Sequence, residues 1–246
     1  MLETKNYFAQ TKKIVDKART SQRTAIIDMA KVIGDCMINN GLIQLLGVKA
    51  DRAFSMELGY RAGGLMPYHQ LNMKDLILRG ILDVKEMDDP EFYNRHDLAD
   101  KLWSLYRIDK QDMVLVYVVD TVYSAILDVA KLAKAKGHKV LLVANMVGIV
   151  KGKYSENAAE LIRLADHTLD LCTPAPDTLL ELQDGIKITQ VANVVGNIFA
   201  QLLTAQIYRY LVDLGEDPAV LLSANVTGAD VHNRLISDRY LGRWNS

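Results

Sequence analysis

The run Met113-Val114-Leu115-Val116-Tyr117-Val118-Val119 is the most constraining feature of this chain. A strand with one wet face alternates apolar and polar residues, so an unbroken β-branched run suits a parallel strand covered on both faces. The residues after it support that reading. Ser124 to Lys136 has Ile126, Leu127, Val129, Ala130 and Ala133 on one side, the pattern of an amphipathic helix, and Gly137 ends it. Val140-Leu141-Leu142-Val143-Ala144 is then a second buried strand. Strand, helix and strand make a βαβ unit with a right-handed crossover. Leu42 to Leu46, closed by Gly47, and Thr168 to Cys172 read as further short strands, with a helix at Ala158–Ala165 before the latter. The pattern predicts a doubly wound α/β sheet.

The flanks are helical. Val15, Ala18, Ala25, Ile26, Met29, Val32, Ile33 and Cys36 recur at spacings of three and four until Asn39-Asn40-Gly41 stops them. A turn at Asp88-Asp89-Pro90 precedes a predicted helix from Phe92 to Tyr106, and Pro174-Ala175-Pro176-Asp177 reads as a rigid loop near the sheet edge. From Gln190 to Leu214 runs a long helix, apolar on most sides and therefore expected to be buried. Its polar residues Asn193, Asn197 and Gln201 are four apart and form one stripe, which faces either a subunit interface or, at Asn193, a ligand. With no low-complexity linker or repeat, the expectation is a single domain over 1–246: a helical arm at 1–40, an α/β core at 41–214 and a C-terminal segment at 215–246.

Composition excludes several classes. There are 29 Lys and Arg against 30 Asp and Glu, so nothing electrostatic calls for nucleic acid or an anionic membrane. No apolar stretch approaches the roughly 18 residues needed to span a bilayer. Cys36 and Cys172 are expected to be free, buried thiols, which with the absence of a signal-peptide core fits a cytoplasmic protein.

Tyr60-Arg61-Ala62-Gly63-Gly64-Leu65 and the segment Ser223-Ala224-Asn225-Val226-Thr227-Gly228-Ala229-Asp230-Val231-His232-Asn233-Arg234 resemble the bacterial single-domain sugar isomerase (SIS) proteins, the branch related to phosphoheptose isomerase. The element order from Thr20 to Arg243 is similar too. The resemblance implies a five-stranded parallel sheet sandwiched by helices, dimerisation through long helices, and a sugar-phosphate ligand. In that family the phosphate is held by hydroxyl-rich loops at strand C-terminal ends, namely Gly-x-Gly-x-Ser, Ser-x-Ser-Gly, and a Thr or Ser after the next strand. A Thr/Ser-rich turn then opens the late helix.

This sequence departs from each. The first loop reads Gly47-Val48-Lys49-Ala50-Asp51-Arg52, the second Val118-Val119-Asp120-Thr121, the third Ala144-Asn145, and the late turn Thr189-Gln190-Val191-Ala192-Asn193. A carboxylate beside a phosphate in a half-buried cleft costs on the order of 4 kcal/mol per charge pair at an effective dielectric near 20. The phosphate clamp is therefore expected to be missing. Asp51, Arg52, Asp120, Thr121, Asn145 and Asn193 become candidate ligand-binding residues. Asp51 and Asp120 would bind sugar hydroxyls or a ligand ammonium, or else cap the adjoining helices, and Arg52 would pair with either.

Aldose–ketose isomerisation needs a base to move a proton between adjacent carbons and an acid at the carbonyl oxygen. Glu57 matches the proposed base of phosphoheptose isomerase; the other reading is a salt-bridged Glu beside Arg61. His232 is the candidate acid, supplied in similar proteins from a C-terminal segment that reaches a neighbouring subunit's cleft, or else a hydrogen-bonded structural histidine. His138, in a Gly-His-Lys turn, is expected to be solvated. No metal is assigned, because no His/Cys/Asp cluster has ligand spacing. No cofactor is assigned either, since Gly47-Val48-Lys49 and Gly63-Gly64 match neither a dinucleotide fingerprint nor a P-loop. The expected partners are a small-molecule sugar derivative and further copies of the chain in a homodimer or homotetramer. The function expected is that of a sugar-derivative isomerase, and the rival is a catalytically silent sugar-binding or regulatory subunit.

Overall fold

A computed structural model describes residues 3–59 and 61–243; Tyr60 of the quoted motif lies outside them. The described residues form ten α-helices and seven strands. The helical arm is α1 (Thr4–Ser21) and α2 (Arg23–Ile38), then come β1 (Ile43–Leu46), α3 (Arg52–Leu58), β2 (Tyr68–Leu71), α4 (Lys74–Leu78) and α5 (Leu98–Leu105). β3 (Met113–Val118), α6 (Ser124–Ala135), β4 (Val140–Ala144), α7 (Met146–Lys151), α8 (Ser155–Leu164) and β5 (His167–Asp170) complete the sheet. A hairpin, β6 (Thr178–Glu181) and β7 (Lys187–Gln190), precedes the long α9 (Ala192–Asp213), and α10 (Ala229–Ser237) lies near the C-terminus.

Five strands pair in the order β2-β1-β3-β4-β5, all parallel. This is the doubly wound sheet that the apolar runs predict. β3 sits centrally with all six residues buried, and its side chains alternate between two cores. Leu115 and Tyr117 join α2 and α9 on one face; Val114, Val116 and Val118 join α5, α6 and α8 on the other. Burying each such side chain contributes roughly 1.5–3 kcal/mol, which is why a two-sided strand tolerates no polar residue here. No helix among the described residues is long and apolar enough to cross a membrane.

Several expectations need correction. The arm breaks at Gln22, whose side chain accepts from Asp170 N (3.0 Å) instead of continuing one helix. The predicted Phe92–Tyr106 helix is a 3-10 turn at Phe92–Asn94 followed by α5, because Asn94 and Arg95 bond to Glu91, Glu86 and Asp97 in a polar turn. α9 is buried along one stripe only, with Val194 and Leu202 exposed. His138 is buried, its Nδ1 paired with the Asp112 carbonyl at 2.9 Å. Cys36 and Cys172 are free and buried as expected, and burial pushes the Cys36 thiol up to about 12.

The C-terminal segment folds back onto its own chain. Leu65 and Val220 form a bridge, Gly63 N donates to Leu221 O (2.7 Å), and the Asn233 side chain holds both backbone groups of Leu222 at 2.9 Å.

Candidate ligand cavity at the strand C-terminal ends

After β1 the chain turns toward β2 on one side, whereas β3 and β4 build out on the other. Loops leaving the C-terminal ends of β1 and β3 therefore diverge, and a crevice opens at this switch point. The crevice holds a cavity of about 200 Å³. Its walls are the loop Val48–Asp51 after β1, Val119, Asp120, Thr121 and Tyr123 after β3, Asp177 and Gln190 at the two ends of the hairpin, and Asn193 in the first turn of α9. Drug-sized ligands occupy roughly 300–1,000 Å³, so the space suits a monosaccharide-sized ligand.

Asp51 stands just before α3 without capping it. Its Oδ2 instead crosses the crevice and accepts from Val119 N at 3.1 Å. Burial pushes its carboxyl up to about 7; the Val119 N–H opposes that shift, and the nearby Asp120 and Asp177 add to it. Asp177 accepts from Ala192 N (3.3 Å) and Gln190 Nε2 (3.4 Å) and so holds the start of α9 to the hairpin. The two N–H groups, one at a strand end and one at a helix start, are natural anion donors. Each already carries a carboxylate of the chain itself.

Lys49 brings the positive charge into the wall. Its Nζ donates to Tyr123 Oη at 2.6 Å and lies 4.6 Å from that ring's centroid and 5.3 Å from that of Tyr93. The hydroxyl contact raises the lysine's pKa, so it stays charged. Asn193 donates Nδ2 to Ala50 O (3.3 Å), whereas its Oδ1 is buried with no partner. Close backbone packing backs the loop after β3. A Cβ on Gly152, just after α7, would lie 2.1 Å from the Asp120 carbonyl oxygen.

Of the residues singled out from the sequence, Asp51, Asp120, Thr121 and Asn193 meet at this cavity. The others stand elsewhere. Arg52 forms no ion pair with Asp51 or Asp120 among the described residues. Asn145 is 1% exposed and fully engaged, its Oδ1 capping α7 through Gly148 N (3.1 Å) and its Nδ2 donating to Pro174 O (2.8 Å). Glu57 on α3 accepts from Arg61 and from Gln201 Nε2 on α9. The Asn193–Gln201 stripe thus faces the first loop and α3 of its own chain. His232 pairs through Nε2 with the Val220 carbonyl at 2.9 Å, tying α10 to the C-terminal segment. Neither Glu57 nor His232 lines the cavity. Lys49, Tyr123, Asp177 and Gln190 were missing from the sequence-derived set. Lys49 and Tyr123 lie in or beside the loops that set contained, but Asp177 and Gln190 depend on a hairpin that the apolar pattern does not reveal.

Comparison with known proteins agrees with this architecture. A UPF0309 protein of Halalkalibacterium halodurans is 26% identical over 249 residues, covering 97% of this chain and 94% of its relative. One from Geobacillus thermodenitrificans is 27% identical over 228 residues, covering 87% and 85%. Among solved structures, a phosphoheptose isomerase from Francisella tularensis has the same fold, with a TM-score of 0.51, 16% identity, and coverage of 82% of this chain and 95% of that one. The SIS domain model matches residues 6–145, more than half of the sequence, and the chain belongs to the SIS domain family.

Proposed function

We propose that the chain binds a sugar derivative in the cavity between the β1 and β3 loops, and that it does so without the family's phosphate clamp. One observation carries this reading: Asp51 and Asp177 already accept from the N–H groups of Val119 and Ala192. A phosphate would have to displace these carboxylates or sit beside them. Hydroxyl groups, in contrast, find acceptors in Asp120 and in the Asp51 oxygen that accepts no hydrogen bond among the described residues. The likeness to phosphoheptose isomerase supports a sugar as the ligand. Assembly as a homodimer or homotetramer belongs to the same proposal, with the exposed outer face of α9 around Val194 and Leu202 as the contact.

A second reading, isomerisation, is favoured by Asp51 itself. A carboxyl brought to about 7 by burial inside a ligand cavity is poised to exchange protons near neutral pH. Asp51 would take the C2 proton of an aldose and return it at C1 while the C2 hydroxyl proton passes to the C1 carbonyl oxygen, leaving a ketose of the same composition. Glu57, as base, would first have to leave Arg61 and Gln201, and His232, as acid, the Val220 carbonyl. Exchange of the C2 proton with deuterated solvent separates turnover from silent binding.

The test of binding is a thermal-shift panel of free hexoses, their derivatives, hexose phosphates and inorganic phosphate. A ligand at 100 times its dissociation constant stabilises by about 2.7 kcal/mol, a rise of roughly 5–10 °C for a chain of this size. Free sugar derivatives are expected to give that rise. A rise confined to sugar phosphates and competed away by inorganic phosphate would overturn the proposal.

A further inference from the structure

Isomerisation needs a proton carrier besides the base, because the C2 hydroxyl proton must reach the C1 oxygen. His232, the acid expected from the sequence, is bonded to the Val220 carbonyl outside the cavity. The cavity wall has another hydroxyl suited to the task, that of Tyr123. Its oxygen accepts from Lys49 Nζ at 2.6 Å, and its own proton is donated to no group among the described residues. Thr121 also brings a hydroxyl to the wall, but no cation donates to it among the described residues.

Both members of the Tyr123–Lys49 pair are held in place. Tyr123 stands at the start of α6, where its carbonyl accepts from Ile126 N (3.0 Å) and Leu127 N (3.2 Å). Its ring lies 5.5 Å from that of Tyr93 and 6.1 Å from that of Tyr154. Lys49, the one cation of the wall among the described residues, has φ +52°, in the left-handed region that residues other than glycine seldom adopt. Such conformations persist where the surroundings impose them, and they cluster at functional sites.

We infer that Tyr123 is the acid of the isomerisation and Lys49 its positioning residue; this deepens the isomerisation reading and rests on it. Tyr123 gives its proton to O1 of an open-chain aldose as Asp51 removes the C2 proton. The C2–H electron pair becomes the C1–C2 double bond, and the carbonyl pair moves to O1. The phenolate then takes the proton of the O2 hydroxyl, a C2 carbonyl forms, and Asp51 returns its proton to C1. Both residues end as they began, and the aldose has become a ketose. Lys49 sets Tyr123 apart from a lone hydroxyl, because its ammonium donates a charge-assisted bond to the oxygen that carries the charge between the two transfers.

The experiment follows D-glucose, D-mannose, D-galactose and D-ribose with the full chain in deuterated buffer, reading ketose formation and deuterium at C2 by NMR. The wild type is expected to convert at least one of them. Tyr123→Phe keeps the ring and its packing and removes the hydroxyl alone. It is expected to lower kcat for that sugar by about 10²–10⁴-fold, with KM changed by less than about threefold. Lys49→Met is expected to lower kcat as well, and Lys49→Arg, which restores a charged donor, to recover part of the loss. In a Tyr123→Phe chain, Lys49→Met should cost nothing further, since the pair acts as a unit. A Tyr123→Phe chain with kcat unchanged, whether or not its KM rises, overturns the inference and leaves isomerisation to another acid. A further loss in the double variant overturns the positioning role of Lys49. Absence of both ketose and C2 deuterium with every sugar overturns the isomerisation reading and this inference with it.

Discussion

At the N-terminal ends of the strands, Asp112 is fully buried and surrounded by donors. It accepts from Leu42 N (2.9 Å), Gln44 Nε2 (3.0 Å) and Asp109 N (3.1 Å), and it pairs with the buried Arg243. Gln44 passes its other end to His69 at 2.7 Å, and burial holds that imidazole down to about 4, neutral at physiological pH. At the opposite, C-terminal ends, Asp51 is also largely buried but has one N–H and two neighbouring carboxylates. The residue types are the same and the surroundings differ. A buried carboxylate with its donors and counter-charge in place holds the C-terminal segment to the sheet. One without them raises its own pKa and keeps capacity for a ligand.

The strongest way to break this comparison is at Arg243. Arg243→Met removes the counter-charge and leaves Asp112 buried. Losing one partner of a buried ion pair costs about 3–5 kcal/mol, and urea denaturation should show a loss of that size. Asp112→Asn in the same chain should recover part of it, since the remaining donors can still bond an amide oxygen. A loss below about 1 kcal/mol for Arg243→Met would mean that the two ends of the sheet are not energetically different.

Asp51→Asn is expected to act in the opposite direction. With its folded pKa near 7 and its ordinary value 3.8, the wild-type carboxyl is protonated in both states below pH 4 and contributes no pH-dependent difference. As pH rises from 4 to 7 the unfolded state ionises first, so the wild type loses stability; above 7 the loss is complete. The amide keeps the acceptor for Val119 N and never ionises. It should therefore stabilise the fold by about 2–4 kcal/mol at pH 8 and by nothing below pH 4. A destabilised Asp51→Asn chain at pH 8 would place Asp51 with Asp112 among the structural carboxylates.

The contrast between the two ends also explains what was legible in the sequence. β3 and β4 are plain because burial on both faces leaves only apolar residues. β2 is not, since its His69 and Gln70 are polar and depend on partners far along the chain. The β6–β7 hairpin is half exposed and its runs Thr178–Glu181 and Lys187–Gln190 are short. Its turn signal, Asp184-Gly185 with the glycine at φ +82°, is present but passes for loop. In the site, Asp51, Asp120, Thr121 and Asn193 follow from where loops leave strands, a property of fold order. Asp177 and Gln190 reach the cavity only because the hairpin brings its two ends together. Asn145 shows the converse: the right loop position, with a side chain already committed to capping α7.

The smallest expected effect on stability falls on Asp120, and it sharpens the comparison most. Asp120→Asn removes a charge from an exposed rim position that has no hydrogen bond or ion pair among the described residues, so the fold loses only a weak attraction to Lys49. Surface substitutions of this kind stay within a few tenths of a kcal/mol, and the melting temperature should shift by less than about 2 °C in either direction. Two small effects oppose each other, because Asp120 holds Asp51 away from ionisation but favours the charge of Lys49. An unchanged melting temperature together with weakened ligand binding marks a residue kept for its ligand. If Asp120→Asn instead lowered the melting temperature by 5 °C or more, roughly the effect of losing 1–2 kcal/mol, the rim carboxylate would be supporting the loop after β3. The cavity would then be held together by the same rule as the N-terminal end of the sheet.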